Sequence, residues 1–335
     1  MSLPFKVKFY YWVKRTRSGQ FFWNYVAIPS GRIRDFFVWI FVRTLVAGIR
    51  ALGPDRSSNL VGGIARRIGP KLSNSKSARV NLKAAFPEKT DEEIETIIRG
   101  VWENLGRVAG EFVHLPKMWD YDPEHPNAGR IEFSPRTAEL YNLLRDDGKP
   151  AIFVSAHLAN WELPAVAAFA HGLDTAVVYK APTNRGFAEL VRETRTGAMA
   201  ELISSERHSV FSMTNVLQQG RHLGLVVDQH FGGGVPVTMF GRKALASPLP
   251  ARLARHVECP VHAVRAIRLP GNRFRMELTE ELQLPRDAEG KIDIALATQK
   301  ISDVFEGWIR EYPAQWLWLH RRWRDRLYQP PPKKN

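Results

Sequence analysis

The sequence predicts an α/β protein with a mixed, mostly parallel sheet flanked by helices and with an N-terminal helical membrane anchor. From about residue 150 to residue 310, short apolar runs alternate with longer stretches of helical periodicity, and turns rich in Gly, Pro and Asp separate them. This rhythm is typical of an α/β sheet rather than of a β-sandwich. Hydrophobic residues make up 44% of the 335 residues, which is enough to bury a sizeable core.

The first clear helix follows Pro87. Thr90 and Glu93 have the spacing of a capping box, and an apolar stripe at helical spacing continues to about Val113. Residues 116–126 then predict a loop, and the sequence predicts a helix over about 135–144 that ends at the turn over 146–148.

Strands and helices alternate after that turn. The predicted order is strand 151–155, helix 161–171, strand 175–179, helix 187–194, strand 202–204, helix 213–220 and strand 224–228. Ser247 and Pro248 predict an N-cap and a first helical position, so a helix begins there and runs to about Val257. Strands over 261–268 and 273–278 and a helix over about 292–310 complete the pattern.

The two ends of the chain differ from this main part. The run from Phe36 to Gly48 is apolar, but Arg43 interrupts it and it is shorter than the ~20 residues of a membrane span. We therefore expect residues 1–75 to be a membrane-associating helical region that lies at the interface, with a tilted single span as the alternative. Residues 76–328 form the main domain, and the polar, proline-rich residues 329–335 form a disordered tail.

Composition limits the partners and the chemistry. The formal net charge of +14 predicts anionic partners, and the mixture of Trp, Phe, Lys and Arg near the N-terminus favours a membrane surface over nucleic acid. No helix-turn-helix, zinc knuckle or stacking platform is evident, so we expect no nucleic-acid binding. The single cysteine, Cys259, excludes an intramolecular disulfide and a cysteine metal cluster, and we expect it to be buried.

The main candidate for catalysis is the segment that follows the strand over 151–155. His157 comes directly after this buried strand, and Glu162 follows five residues later. A carboxylate that accepts one ring N–H fixes the histidine tautomer, so that the other nitrogen can take a proton. The alternative is an ordinary strand-end histidine and a solvated glutamate, but the carboxyl ends of strands in open α/β sheets are where ligands bind. We expect His157 on a turn and Glu162 in the first turn of the next helix.

This segment and four others resemble the bacterial lipid A biosynthesis acyltransferases, a branch of the glycerolipid acyltransferase superfamily marked by His-x4-Asp/Glu. The resemblance covers about residues 77–326. The five segments, in chain order, are Arg79 to Pro87, His157 to Glu162, Val178 to Asn184 with Arg192 to Gly197, Asp228 and Gln229 with Val237 to Gly241, and Gln315 to Trp323.

The resemblance implies a role for each candidate residue. His157 is the general base that deprotonates an acceptor hydroxyl, and Glu162 orients it. Arg195, Asp228, Lys180 and Asn160 are the candidate substrate-binding residues. We expect Asp228 to pair with Arg195 at the end of a buried strand, with a solvated helix-end cation as the alternative for Arg195. Lys180 stands where many relatives carry arginine and lacks its bidentate fork.

The resemblance also implies the substrates and the location. The donor is an acyl carrier protein thioester, or alternatively acyl-CoA. The acceptor is an anionic saccharolipid, a lipid A precursor, or alternatively another glycolipid or an aminolipid. The enzyme acts at the cell inner membrane as a peripheral or single-anchor protein whose catalytic domain faces the cytoplasm, without a metal or a cofactor. A serine hydrolase built on Ser155 or Ser204 is disfavoured, because neither lies in a Gly-x-Ser-x-Gly elbow.

Overall fold

The computed structural model describes residues 28–126, 128–180, 182, 185–199, 201–205 and 209–323. Residues 1–27 of the predicted membrane-associating region and the predicted tail over 329–335 therefore lie outside the described residues. The chain divides into two units, residues 1–51 and 52–335. The predicted domain boundary at residue 75 stays a prediction.

The first unit is helical over its described residues. Helix α1 (Ile28–Ile68) begins in this unit and continues into the second, with non-helical dihedrals at Gly53 (φ 75°). Phe37 and Leu45 are exposed in the first unit, and the Arg43 guanidinium lies 5.7 Å from the centroid of the exposed Trp39 ring. Among the described residues, no helix combines the length and the apolar character that a bilayer span requires. The predicted N-terminal helix is present over 28–51, and its role as an anchor stays a prediction.

The second unit is a seven-stranded sheet covered by helices on both faces. Its strands are β1 (Ile131–Phe133), β2 (Ile152–Ser155), β3 (Thr175–Tyr179), β4 (Glu201–Ser204), β5 (His222–Val226), β8 (Val261–Leu269) and β9 (Arg273–Leu278), in the order β1-β9-β8-β2-β5-β3-β4. Every neighbouring pair is parallel except β8 with β9. The expectation of a mixed, mostly parallel sheet flanked by helices is confirmed.

All but the first of the helices that begin in this unit match a predicted helix. They are α2 (Ser75–Ala85), α3 (Asp91–Phe112), α4 (Pro135–Asp146), α5 (Leu163–Ala170), α6 (Arg185–Thr196), α7 (Ser209–Gln218), α8 (Leu249–Val257) and α9 (Ile294–Glu311). The capping box of α3 is formed, since the Glu93 backbone N–H donates to Thr90 Oγ1 at 3.3 Å and the Thr90 N–H donates to Glu93 Oε2 at 2.8 Å.

The core lies on both faces of the sheet, and alternation along β2 shows the division. Ile152 and Val154 face one cluster, which includes side chains of α2, α3, α8 and α9. Phe153 faces the other cluster, which includes side chains of α4 and α5. Because both faces of β2 are buried, its sequence is a continuous apolar run rather than an alternating one.

Some elements differ from the predictions. We did not predict α2, the three-residue strand β1 or the separate hairpin of β6 (Val235–Met239) and β7 (Arg242–Ala246). Pro, Arg and Lys within the hairpin weaken its apolar alternation. Helix α8 begins at Leu249 with Pro248 as its N-cap residue, although the Leu249 N–H still donates to Ser247 Oγ at 3.4 Å.

Candidate active site

The register of the central strands brings His157 and Asp228 together. Strands β2 and β5 are parallel neighbours, and Ser155 pairs with Val226. His157 and Asp228 each lie two residues beyond this pair, so both side chains stand at the same level beyond the carboxyl edge of the sheet. This edge is the expected ligand side of an open α/β sheet.

The Asp228 carboxylate holds His157 by two hydrogen bonds. The His157 backbone N–H donates to Oδ2 at 2.8 Å, and the ring Nδ1 lies 2.6 Å from Oδ1. Trp316 Nε1 donates to Oδ2 at 2.7 Å. The Asp228 side chain is 1% exposed, whereas the His157 side chain is 20% exposed. Because an ionised carboxylate only accepts, Nδ1 carries the proton and Nε2 is the acceptor nitrogen of the ring.

This arrangement corrects the predicted partners. Glu162 does not bond to His157; it forms a bidentate ion pair with Arg195, whose Nε donates to Oε2 at 2.9 Å and whose Nη2 donates to Oε1 at 2.6 Å. Asp228 in turn pairs with His157 rather than with Arg195. The physical reason is the strand order, which places the ends of β2 and β5 side by side and leaves Glu162, the N-cap residue of α5, facing α6.

The Glu162–Arg195 pair is built into the wall of the site. The two side chains are 7% and 18% exposed, and the Arg195 guanidinium lies 5.5 Å from the Tyr179 ring centroid and 5.8 Å from that of Phe112. Helix α6 therefore presents a fixed, charge-neutral ion pair close to His157 instead of a solvated cation. The alternative reading of Arg195 as a solvated helix-end residue is wrong.

The loop after β2 has an unusual backbone that the C-terminal segment holds in place. Ala159 adopts a left-handed conformation with φ 46°, which costs energy for any residue with a Cβ. Its N–H donates to the Gln315 carbonyl at 2.9 Å, and the Leu317 N–H donates to the His157 carbonyl at 3.2 Å. The Asn104 side-chain amide donates to the Ala159 carbonyl at 3.0 Å.

Behind this loop lies a buried polar network centred on Glu111. Glu111 is 1% exposed and accepts from both terminal nitrogens of Arg268, at 2.5 and 2.9 Å. Its other donors are Ser58 Oγ at 2.6 Å and Asn160 Nδ2 at 2.9 Å. Asn160 is fully buried and holds the loop to α3 through Glu111, and its role in binding substrate stays a prediction.

Gln229 and Trp161 lie against the histidine ring. Gln229 Nε2 lies 3.5 Å from His157 Nε2, and the Trp161 ring packs against the imidazole edge-on with 5.2 Å between centroids. Lys180 is exposed directly after β3. Its role in binding substrate stays a prediction, as does the catalytic role of His157 and Glu162.

Electrostatics favour a charged histidine–aspartate pair. Burial by itself lowers the pKa of His157, but the charge and hydrogen bond of Asp228 outweigh burial, so the pKa of His157 is raised above its ordinary value. Burial raises the pKa of Asp228, and the contacts with His157 more than offset this, so that pKa is lowered. Asp228 therefore stays ionised and stabilises an imidazolium.

An apolar cavity begins beside the histidine and runs under α5. Its lining includes Trp161, Ser155 and Val226 near the carboxyl edge and Thr175 and Tyr141 deeper in the domain. Over the described residues, no group of three or more His, Cys, Asp or Glu side chains is arranged to hold a metal ion.

Sequence reasoning missed Trp316, Asn104 and the Glu111–Arg268 pair. Trp316 reads as a core residue in the segment Gln315 to Trp323, and its 3% exposure agrees with that, but its indole N–H also bonds to Asp228. A polar residue on the apolar face of a predicted helix, as at Asn104 and Glu111, is the signal that points to a buried network.

Two comparisons relate this amino-acid sequence to known proteins. The model of the family described as bacterial lipid A biosynthesis acyltransferase matches residues 29–325. A phosphatidylinositol mannoside acyltransferase of Mycolicibacterium smegmatis is 23% identical over 279 residues, which cover 82% of this chain and 88% of that protein. Lipid A biosynthesis acyltransferase 2 of Shigella flexneri is 22% identical over 289 residues, which cover 85% of this chain and 88% of that protein.

The family match covers nearly all of the second unit, including His157, Asp228, Arg195 and the segment that carries Trp316. The histidine–carboxylate pair and the apolar cavity beside it suit the transfer of an acyl chain. The chain therefore belongs to the bacterial lipid A biosynthesis acyltransferase family and is an acyltransferase that acylates a lipid acceptor.

Proposed function

We propose that this protein transfers a fatty acyl chain from an acyl carrier protein thioester to a hydroxyl of a lipid A precursor at the inner membrane. The observation that carries the proposal is the 2.6 Å contact between His157 Nδ1 and Asp228 Oδ1, at the open carboxyl edge of the sheet. It leaves Nε2 as the ring nitrogen that can accept the proton of a substrate hydroxyl.

The reaction follows from this geometry. His157 Nε2 takes the proton of the acceptor hydroxyl while the oxygen attacks the thioester carbonyl carbon. Asp228 stabilises the imidazolium that forms. The tetrahedral intermediate then collapses, the C–S bond breaks, and the imidazolium returns its proton to the departing thiolate. A positioned base of this kind contributes ~10²–10⁴-fold in rate.

The charge of the chain supports anionic substrates. The formal net charge is +14. Two exposed cations lie at this edge: Lys180 directly follows β3, and Arg192 is on α6. A basic surface of this kind attracts an acidic carrier protein or the phosphates of a saccharolipid over about a Debye length of ~8–10 Å.

Exposed apolar residues at the same edge support action on a membrane lipid. Phe187 near the start of α6, Val210 and Phe211 at the start of α7 and Phe231 after β5 are at least half exposed. Each follows the carboxyl end of a strand, so the topology puts them on the side of the sheet that carries His157. Aromatic residues at such a surface are typical of proteins that lie at a membrane interface.

The acceptor is tested with purified protein and two lipids. One is a lipid A precursor and the other is a phosphatidylinositol mannoside, because relatives named for both kinds of acceptor are similar to this chain over most of its length. Mass spectrometry of the lipid products with acyl carrier protein and acyl-CoA donors is the measurement. We expect acylation of the lipid A precursor from the carrier-protein donor. Transfer only to the mannoside, or only from acyl-CoA, refutes the corresponding part of the proposal.

The role of the cations is tested by charge reversal. We expect Lys180→Glu and Arg192→Glu to raise the KM of the carrier-protein donor, and to do so more at low salt. Arg145→Glu is the matched control, since Arg145 is an exposed cation at the carboxyl end of α4, before β2, and so belongs to the opposite edge of the sheet. If the acceptor KM rises instead, these cations hold the lipid phosphates and the donor assignment is wrong.

A further inference from the structure

A buried arginine of the C-terminal segment lies close to the histidine–aspartate pair. Arg322 follows α9 in the same segment as Trp316 and is 1% exposed. Its Nη1 donates to the Leu245 carbonyl of β7 at 2.6 Å, which is the one hydrogen bond that its guanidinium makes to the described residues. Its Nε is buried and has no hydrogen-bond partner among them. Because arginine stays protonated in proteins, this is an enclosed cation.

Arg322 has no carboxylate at ion-pair distance among the described residues. Two other enclosed arginines do: Arg265 lies 2.6 Å from Glu277, and Arg268 lies 2.5 Å from Glu111. Charged side chains are almost never fully buried unless they are paired. Burial lowers the pKa of Arg322, and the charge that opposes this effect is that of Asp228. The catalytic carboxylate is therefore the negative charge that balances this cation.

Two contacts fix Arg322 beside the loop that carries Asp228. The Phe231 N–H, three residues after Asp228, donates to the Leu245 carbonyl at 3.3 Å, and the same oxygen accepts from Arg322. The indole of Trp316, in the segment of Arg322, donates to Asp228 Oδ2 at 2.7 Å. The guanidinium thus approaches the loop from the side of β7, while the His157 ring lies on the other carboxylate oxygen, Oδ1.

Asp228 consequently has one cationic neighbour whose charge changes and one whose charge is fixed. While His157 is neutral, Arg322 alone balances the buried carboxylate. Once His157 is protonated, the site holds two cations and one anion. A nearby like charge disfavours ionisation, so Arg322 makes the imidazolium harder to form than it would be beside Asp228 alone.

The other charged groups that face His157 come from α5 and α6. Glu162, the N-cap residue of α5, raises the pKa of His157, and Arg195 of α6 lowers it. These two side chains are paired with each other, so their charges oppose at the ring. On the C-terminal side, the His230 N–H donates to His320 Nε2 at 3.2 Å, which leaves that nitrogen without a proton. The carboxylate behind the ring and its arginine are therefore the charges that set the state of the base.

We propose that Arg322 is a positioning residue for the base, whose fixed charge holds Asp228 ionised and keeps His157 neutral and ready to accept a proton. The proposal rests on the role of His157 proposed above. Arg322 is too enclosed to touch a substrate, so it acts through Asp228. Without its charge, a proton on the ring neutralises Asp228 instead of adding a second cation, and protonation becomes easier.

The test compares two substitutions at position 322 that differ in charge. Glutamine and lysine both can donate to the Leu245 carbonyl, but only lysine keeps a cation there. The pH dependence of kcat/KM is measured for the full-length wild type, Arg322→Gln and Arg322→Lys. We expect the acid limb of Arg322→Gln to move up by about one pH unit, so that its rate on that limb falls about tenfold at a given pH. The limb of Arg322→Lys should stay close to that of wild type.

A second readout does not need turnover. NMR of isotope-labelled histidine rings follows the titration of His157, whose resonance is the one lost in His157→Ala. Its pKa should rise in Arg322→Gln as the acid limb does. Arg265→Gln is the matched control, since Arg265 is also buried but pairs with Glu277 and Glu311, and it should leave the titration of His157 unchanged.

A stability cycle decides the question if Arg322→Gln does not fold. Asp228→Asn alone leaves Arg322 without its balancing charge, whereas Asp228→Asn combined with Arg322→Gln removes both charges. Breaking one side of a buried charge pair costs more than replacing both sides. The double variant should therefore melt at a higher temperature than Asp228→Asn. A lower melting temperature of the double variant means that the two charges do not interact and overturns the proposal.

The outcomes separate this inference from the proposed function. If His157→Ala transfers acyl chains at the rate of wild type, the proposed mechanism fails. If His157 is required and a folded Arg322→Gln protein titrates like wild type, the mechanism stands and the role of Arg322 is refuted. A shift in Arg322→Lys or Arg265→Gln as large as that in Arg322→Gln also refutes it, because the charge beside Asp228 is then not the cause.

Discussion

Replacing Asp228 by asparagine should disable the base without removing it. The carboxylate accepts at Oδ2 from the His157 N–H and from Trp316 Nε1, and at Oδ1 from the ring Nδ1. An asparagine must keep its oxygen toward the two donors at Oδ2, so its NH₂ group faces Nδ1. The ring proton then moves to Nε2, the nitrogen that must accept the proton of the substrate.

The size of the effect follows from what is lost. The wrong tautomer removes a general base worth ~10²–10⁴-fold. It also removes the negative charge that stabilises the imidazolium, and an asparagine in the equivalent place of a serine protease triad lowers kcat by about 10⁴. We expect kcat to fall by roughly 10³–10⁴, equivalent to about 4–5.5 kcal/mol at ~1.36 kcal/mol per tenfold.

Steady-state kinetics of Asp228→Asn and Glu162→Gln test this reasoning together. Glu162→Gln weakens the ion pair with Arg195 but leaves the histidine tautomer intact, so its loss of kcat should be smaller and the acid limb of its pH profile should remain. A larger loss of kcat in Glu162→Gln than in a folded Asp228→Asn protein refutes the partner assignment and restores Glu162 as the group that orients His157.

Three more predictions concern pH and stability. Activity of the wild type should fall as pH drops through the pKa of His157, because a protonated ring cannot accept a proton. This pKa is raised above the usual ~6.5. An acid limb well below pH ~6.5 in the pH–rate profile contradicts this prediction. Arg268→Met should lower the free energy of unfolding by about 3–5 kcal/mol in urea titrations, since it leaves the buried Glu111 without its counter-ion. A loss of less than about 1 kcal/mol refutes this prediction. Gly234→Ala should lower the melting temperature, because the added Cβ would overlap the Ala246 carbonyl oxygen. Gly232→Ala, with open space around it, should melt like wild type.

The sequence was sufficient for most of the elements and for the family. Strand β2 followed by His157 and the alternation through β5 could be predicted because buried parallel strands are continuous apolar runs with helices between them. Helix α3 was predictable from its capping box and its apolar stripe. The candidate residues came from motifs that the family resemblance supplied.

The pairing of those residues was not predictable. His157 and Glu162 are near in sequence, but their side chains bond to partners on β5's end and on α6. That result depends on β2 and β5 being neighbours, and the strand order β2-β5-β3 is a property of the whole sheet rather than of any one segment. Nor does a single sequence indicate that Ala159 takes a left-handed backbone or that Trp316 reaches Asp228.

The segment over 315–317, which fixes the loop after β2, lies late in the chain. Residues 315–317 supply the carbonyl that accepts from Ala159, the indole bonded to Asp228 and the N–H bonded to the His157 carbonyl. These residues leave the ribosome after all seven strands of the sheet have been synthesised. A chain that a protease has cut before residue 315 therefore lacks all three contacts. The orientation of His157 thus depends on a segment that is synthesised only after the whole sheet.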